Sequence, residues 1–257
     1  MVKGLIVCLT FDFDAEAAQI RQKEEPVRVS KGQFAIRRGI PRILSLLQKH
    51  KIVATFFVCG WVAEKYPVLV ATLNRYEHEV AAHGYLHESL DTLPLAEERE
   101  IHRKTNEYLK ELAGDVKGFR APYWRLSPNT LRLIAEMGFT YDSSLMDEDR
   151  PYLYSVPGSS KKLVEFPVEK YLDDWVLFEE YQQPPSFVFE TWKAQFDALL
   201  EMDDMPNSRR IFTLTFHPAC IGHAYRLRVL EDLIEHMKRK KAIFSRMDTI
   251  AEIIMNE

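Results

Sequence analysis

The chain lacks several features that would mark other classes of protein. No apolar run approaches the roughly 18 residues that a membrane-spanning helix needs. Its 34 lysines and arginines are outnumbered by 38 acidic residues, for a formal net charge of −4. That balance excludes the polycationic surface of a nucleic-acid-binding protein. Cysteines are few: Cys8, Cys59 and Cys220 are an odd number at wide spacing, and Cys8 and Cys59 sit in apolar contexts. Buried free thiols are the simplest reading. No charged-then-apolar leader precedes the first apolar run, and no internal repeat or low-complexity linker divides the chain. Together these absences favour a cytoplasmic location and count against an extracellular cell-wall substrate.

What is present agrees with one soluble domain over residues 1–257. Apolar residues make up 46% of the chain and charged residues 28%, enough for a large core. The length is long for a single domain but ordinary for an α/β barrel. Strand-like apolar runs lie at 4–10, 52–58, 78–82, 118–121, 138–142, 163–168, 211–216 and 241–244. Helical patterns fall between most of them, at 40–49, 95–112, 128–137, 187–202 and 225–240, with a last helix over 246–256. Such alternation predicts a parallel sheet with helices outside. Active sites of parallel barrels lie at the C-terminal ends of the strands.

Polar groups collect at those strand ends. Asp12 and Asp14 close the first apolar run two residues apart, so both side chains point to one face of a strand. Adjacent carboxylates repel unless a proton or cation lies between them, though two solvated loop aspartates would look the same in sequence. His83 and His87, in His-Gly-Tyr-Leu-His-Glu, are spaced to share one face of a helical turn. Imidazoles with carboxylates make a site for a divalent transition metal; a surface helix face is the plainer alternative. Gly118-Phe119-Arg120-Ala121-Pro122-Tyr123-Trp124 reads as a strand ending in a proline-locked turn. Arg120 suits bidentate binding of a carboxylate, and Tyr123 and Trp124 suit the wall of a groove. Asp142 follows the run Met137-Gly138-Phe139, and His217 ends the run at 211–216.

In this order, Thr-Phe-Asp-Phe-Asp, His-Gly-x-x-His, Arg-x-Pro-Tyr and Thr-Phe-His-Pro resemble the motifs of polysaccharide deacetylases with the NodB homology domain. The resemblance spans roughly residues 4 to 255. Asp-x-Asp in place of Asp-Asp, together with Tyr-Leu-Asp-Asp-Trp at 171–175, resembles an intracellular branch. That branch holds peptidoglycan deacetylase-like proteins, cyclic imidases and metal-independent allantoinases. The resemblance implies a distorted (β/α) barrel and hydrolysis of a non-peptide carbon–nitrogen bond. It implies Asp14, His83 and His87 as ligands of a divalent metal, zinc first and cobalt or nickel as alternatives. It implies Asp12 as general base, Arg120 as the group orienting it, His217 as general acid, and the Tyr123 backbone N–H as an oxyanion donor. The fourth motif matches poorly, and Asp142 is the expected carboxylate partner of His217, with Asp174 behind it. Glu88 either tunes the site or faces solvent.

The expected reaction is N-deacetylation of an acetylated amino sugar or a related small amide. Ring opening of a cyclic imide or a ureide such as allantoin is an alternative, and a non-catalytic sugar-binding module is another. The partners expected are a small-molecule or carbohydrate substrate and further copies of the chain, with neither nucleic acid nor membrane. Residues 15–35 and 143–162 read as long loops over the pocket. Residues 171–186, with Asp173, Asp174 and Trp175, are a third such loop, equally suited to substrate or to an oligomer contact.

Overall fold

The computed structural model describes residues 5–202 and 210–256. Its strands are β1 (Ile6–Phe13), β2 (Thr55–Val58), β3 (Glu79–Ala82), β4 (Gly118–Phe119), β5 (Tyr141–Asp142), β6 (Tyr152–Ser155), β7 (Lys162–Glu165), β8 (Ile211–Phe216) and β9 (Ile243–Phe244). They form one sheet in the order β6-β7-β5-β4-β3-β2-β1-β8, with β9 also on β1. Every pairing is parallel except β6 with β7. β8 takes one edge of β1, while β9 and β2 share the other edge in tandem, at Ile6–Val7 and Thr10–Phe13. The isolated bridge Asp173–Thr215 carries the segment after β7 across to β8. The sheet therefore curls into the distorted barrel expected, with helices on its outside. Gly4, where the sequence begins the first strand, lies outside the described residues.

β1 is central because it is apolar on both faces. Val7 to Phe13 are buried throughout, as a strand covered by side chains on one side and helices on the other must be. Phe11 stacks on Phe56 at 4.8 Å and lies 5.4 Å from Phe216, so three neighbouring strands share one aromatic layer. None of the described helices is long and apolar enough to cross a membrane.

The segment 15–35, expected as a loop, folds into helices Ala17–Arg21 and Pro26–Phe34. The second runs on through a π turn at Ala35–Gly39 into Ile40–His50. Pro41 has no N–H to give to the preceding turn, which explains the local widening. Two glycines let this helix lie close to the strand ends. A Cβ on Gly32 would meet the Ala15 carbonyl at 2.4 Å, and one on Gly39 would meet the Pro218 carbonyl at 2.2 Å. The segment 143–162 does not hang over the strand C-termini: its second half forms β6, a half-exposed strand on the sheet edge. β6 and the helices Gly60–Lys65 and Pro67–Arg75 are absent from the sequence reading. They are short and lack the periodic signal that marked the longer elements.

Removing the shared aromatic layer should be costly. Phe56→Ala is expected to lower unfolding stability by about 3–5 kcal/mol, the usual cost of a cavity this size. Urea denaturation measures it; a loss below about 1 kcal/mol would show that the layer contributes little.

Candidate active site

Asp12 lies in β1 and Asp14 one residue past its end. Ala15 turns the chain at φ 48°, and the Ala17 amide donates to the Asp14 carbonyl. His83 follows β3, where its amide donates to the Val58 carbonyl. Its Nδ1 lies 2.8 Å from the Arg120 carbonyl. A carbonyl only accepts, so Nδ1 carries the proton and Nε2 is left with a free lone pair. That Nε2 is buried without a hydrogen-bond partner, 3.4 Å from Asp14 Oδ1 and 3.7 Å from Asp12 Oδ2. His87 Nε2 lies 3.7 Å from Asp14 Oδ2.

The two histidines converge, but not through a helical turn. Residues 83–89 form a bend, with positive φ at Gly84 (67°) and His87 (55°). Glu88 holds that bend by accepting from the Tyr85 and Leu86 amides at 2.9 and 2.7 Å, and it is buried rather than solvated. The donor atoms of Asp14, His83 and His87 all lie within 4.8 Å of one another. Burial lowers the His87 imidazole to about 4, which keeps it neutral and ready to donate a lone pair. One carboxylate, a neutral imidazole and an orphaned buried nitrogen suit a divalent transition metal.

Arg120 joins the strand ends around this cluster. It has no exposed surface, and its guanidinium lies 4.1 Å above the Phe57 ring. It donates to Asp12 Oδ1 at 2.7 Å, Thr10 Oγ1 at 2.9 Å, the Ser143 carbonyl at 3.1 Å and Ser143 Oγ at 2.9 Å. Burial alone would raise the Asp12 carboxyl. Arg120, with His217, outweighs burial and holds it below the usual carboxylate range.

His217 follows β8. Its Nδ1 lies 2.8 Å from Asp174 Oδ1, which also accepts the His217 amide at 2.9 Å. Asp173 Oδ1 is 4.0 Å away and accepts the Val176 amide. Burial disfavours the imidazolium, but Asp173, Asp174 and Asp12 raise its pKa well above the ordinary value. Asp142, expected beside His217, is elsewhere. Its carboxyl takes the Ser144 hydroxyl and pairs in register with Glu165 of β7. The Asp173–Thr215 bridge is what brings residues 173–175 to His217 instead. That contact is between residues 42 apart and has no local signature.

A cavity of about 520 Å³ joins these groups. Asp12, Asp14, His83, His87, Asp173 and His217 form its floor, and Tyr123, Trp124 and Trp175 line its walls. Gln19, Gln22, Arg28 and Lys31, from the helices after Asp14, roof it. The roof is tied down on one side by Arg21 and Gln22, which donate to the Tyr123 hydroxyl at 3.4 and 3.0 Å. On the other side Lys31 pairs with Glu179 and lies 4.3 Å above the Trp175 ring. No residue of 143–162 lines the cavity. Tyr123 and Trp124 both have left-handed backbones, at φ 57° and 54°, as sites under functional constraint often do. The sequence placed residues 15–35 over the pocket and named Asp173 within the 171–186 loop, but it did not single out Gln19, Gln22, Arg28 or Lys31, which lie in a charged segment without periodicity.

A curled parallel sheet with these donors at its strand C-termini defines an α/β-barrel hydrolase. The chain belongs to the polysaccharide deacetylase family, whose model, Polysaccharide deacetylase, matches residues 5–141. It is therefore a hydrolase of carbon–nitrogen bonds other than peptide bonds. It is 32% identical to a peptidoglycan deacetylase of Helicobacter pylori, over 95% of this chain and 93% of that protein. It is 33% identical to a solved structure from Mycobacterium smegmatis described as a candidate polysaccharide deacetylase. The TM-score is 0.86, over 98% of this chain and 90% of the other. The structure of Puue allantoinase superposes with a TM-score of 0.89 at 24% identity, over 98% and 90% of the two chains, a likeness of fold alone.

The carboxylates beside His217 make its titration a direct probe of the site. Its charged form stabilises the fold fully below the ordinary value of 6.5, and that contribution fades as pH rises through the raised value of the folded state. In Asp174→Asn the imidazole should titrate at lower pH, by NMR of the ring protons. An unchanged midpoint would show that Asp174 does not set it.

Proposed function

We propose that the chain is a metal-dependent deacetylase of an acetylated amino sugar or a closely related small amide. The observation that carries this reading is the meeting of three groups on one cavity floor. They are the Asp14–His83–His87 donor set, the arginine-held Asp12 and the carboxylate-held His217. Asp14, His83 and His87 would hold the cation, zinc first and cobalt or nickel next on the chemistry of the donors. When bound, it supplies a Lewis acid that polarises the amide carbonyl and acidifies water.

The chain's own groups do the rest. Asp12, kept ionised by Arg120, accepts the proton of the attacking water. The Tyr123 backbone N–H, set by the Ala121–Pro122 turn, donates to the oxygen that gains charge. His217, kept protonated by Asp173 and Asp174, delivers a proton to the departing nitrogen. Water adds across the carbon–nitrogen bond, leaving acetate and a free amine. Trp124 and Trp175 offer flat apolar faces to a sugar ring.

A second reading has one specific observation behind it. The segment 17–34 folds onto the strand ends and lines one side of the cavity, which favours a short ligand over a polymer chain. Ring opening of a cyclic imide or ureide would use the same groups. Two further parts of the proposal concern setting. Three buried free cysteines favour the cytoplasm. Exposed Tyr171, Tyr181 and Phe187 offer a surface for a homo-oligomer.

Elemental analysis of the purified chain, with acetate release from an N-acetylglucosamine oligomer and opening of a small cyclic imide, tests the reading. Asp12→Asn is expected to abolish turnover with metal content near that of the unmodified chain. Loss of metal as well would overturn the division of roles between Asp12 and Asp14. His83→Ala is expected to lose metal and activity together, and full activity without metal would end the metal-dependent proposal.

A further inference from the structure

Asp142 and Glu165 form a second acidic pair, behind the turn that carries Arg120. They are cross-strand partners in β5 and β7, so their side chains share one face, and each has at most 1% of its surface exposed. Two ionised carboxylates cannot stand side by side in a dry interior; one must hold a proton. Arg120 gives neither a hydrogen bond: its N–H groups go to Asp12, Thr10 and Ser143.

The hydrogen bonds tie this pair to the turn that carries Arg120. The Ala121 amide donates to Ser144 Oγ at 2.9 Å. Ser144 must then use its one hydroxyl proton toward Asp142 Oδ1, also at 2.9 Å. Asp142 Oδ2 is buried with no donor from any other group. Glu165 Oε1 accepts the Ser144 and Leu145 amides at 3.1 and 2.9 Å, which leaves Oε2 free to carry a proton. Each carboxyl thus accepts at one oxygen and leaves the other for the proton that the pair shares.

We propose that Glu165 and Asp142 are positioning residues that share one proton, and that through Ser144 they set the Arg120–Tyr123 turn. The inference rests on the deacetylase reading for its effect on turnover. Ser143 supports the same turn from the next position. It accepts two Arg120 donors, and its hydroxyl donates to the Phe166 carbonyl. The 143–145 segment is therefore a seat: Ser143 fixes the guanidinium that holds Asp12, and Ser144 fixes the amide preceding Pro122. In agreement, burial first and Asp142 second push the Glu165 carboxyl up to about 10.

In the full-length, metal-loaded protein, Glu165→Gln and Asp142→Asn each keep an oxygen for the existing donors and put an amide N–H where the shared proton lies, so kcat should stay within about threefold of the unmodified chain. Glu165→Leu and Asp142→Leu remove the bonds to the 144–145 segment, so kcat should fall by about tenfold or more, with KM and metal content unchanged. Leucine variants as active as the amide variants overturn the positioning role. Infrared spectroscopy with isotope-labelled aspartate and glutamate separates this inference from the deacetylase reading and from any failure of a variant to fold. A protonated carboxylic acid band at neutral pH, lost in Glu165→Gln, is expected whatever the substrate. Its absence from the unmodified chain rejects the shared proton even if acetate is released.

Discussion

Arg120 carries a full charge at a position with no exposed surface, and the arrangement of the barrel's upper end depends on how that charge is met. A buried guanidinium is tolerable only when its N–H groups are bonded and its charge is opposed. Asp12 supplies the charge, and Thr10 and Ser143 supply the remaining acceptors. These groups come from β1 and from the segment after β5, so one side chain fixes the spacing of distant strand ends. The backbone of the same residue accepts from His83 and so fixes its tautomer. A single arginine thus orients a carboxylate with its side chain and an imidazole with its carbonyl. Replacing it would leave Asp12 buried and uncompensated.

The cavity floor sorts its ionisable groups by environment. Asp12 lies beside a guanidinium and stays charged; His217 lies among carboxylates and also stays charged; His87 is buried and stays neutral. The proposed base, acid and ligand are thereby separated in protonation state within one small volume, as acid–base chemistry near neutral pH requires. Where opposing charge is lacking, at Asp142 and Glu165, a proton takes its place.

The helices after Asp14 turn this floor into a bounded cavity. Their approach depends on Gly32, where any side chain would strike the Ala15 carbonyl. Their outer ends are held by Tyr123 and Glu179, residues of two other strand-end segments. The groups that roof the cavity are thus tied to groups that line it. Ligand size and the geometry of the Tyr123 turn are linked in the same contacts.

Much of this was legible in the chain. The strands and most helices follow from apolar periodicity, and Asp12, Asp14, His83, His87, Arg120 and His217 stand at strand ends because alternation in a parallel sheet puts them there. The parity of β1 was enough to pair Asp12 with Asp14. Local pattern failed where geometry depends on contacts between distant segments. His83 and His87 meet through a glycine bend rather than a helix, and spacing alone does not distinguish the two. Residues 15–35 lack periodicity, yet they are helical because they pack on the strand ends. Asp142 and Asp174 are both acids near strand ends, and nothing local separates them. Sequence determined the elements and the residues at their ends, since those follow from side-chain period and backbone preference. Only the tertiary structure decided that Asp174 reaches His217 while Asp142 turns to Glu165. That choice is made by the curl of the sheet, which brings Asp173 to Thr215 and leaves β5 beside β7.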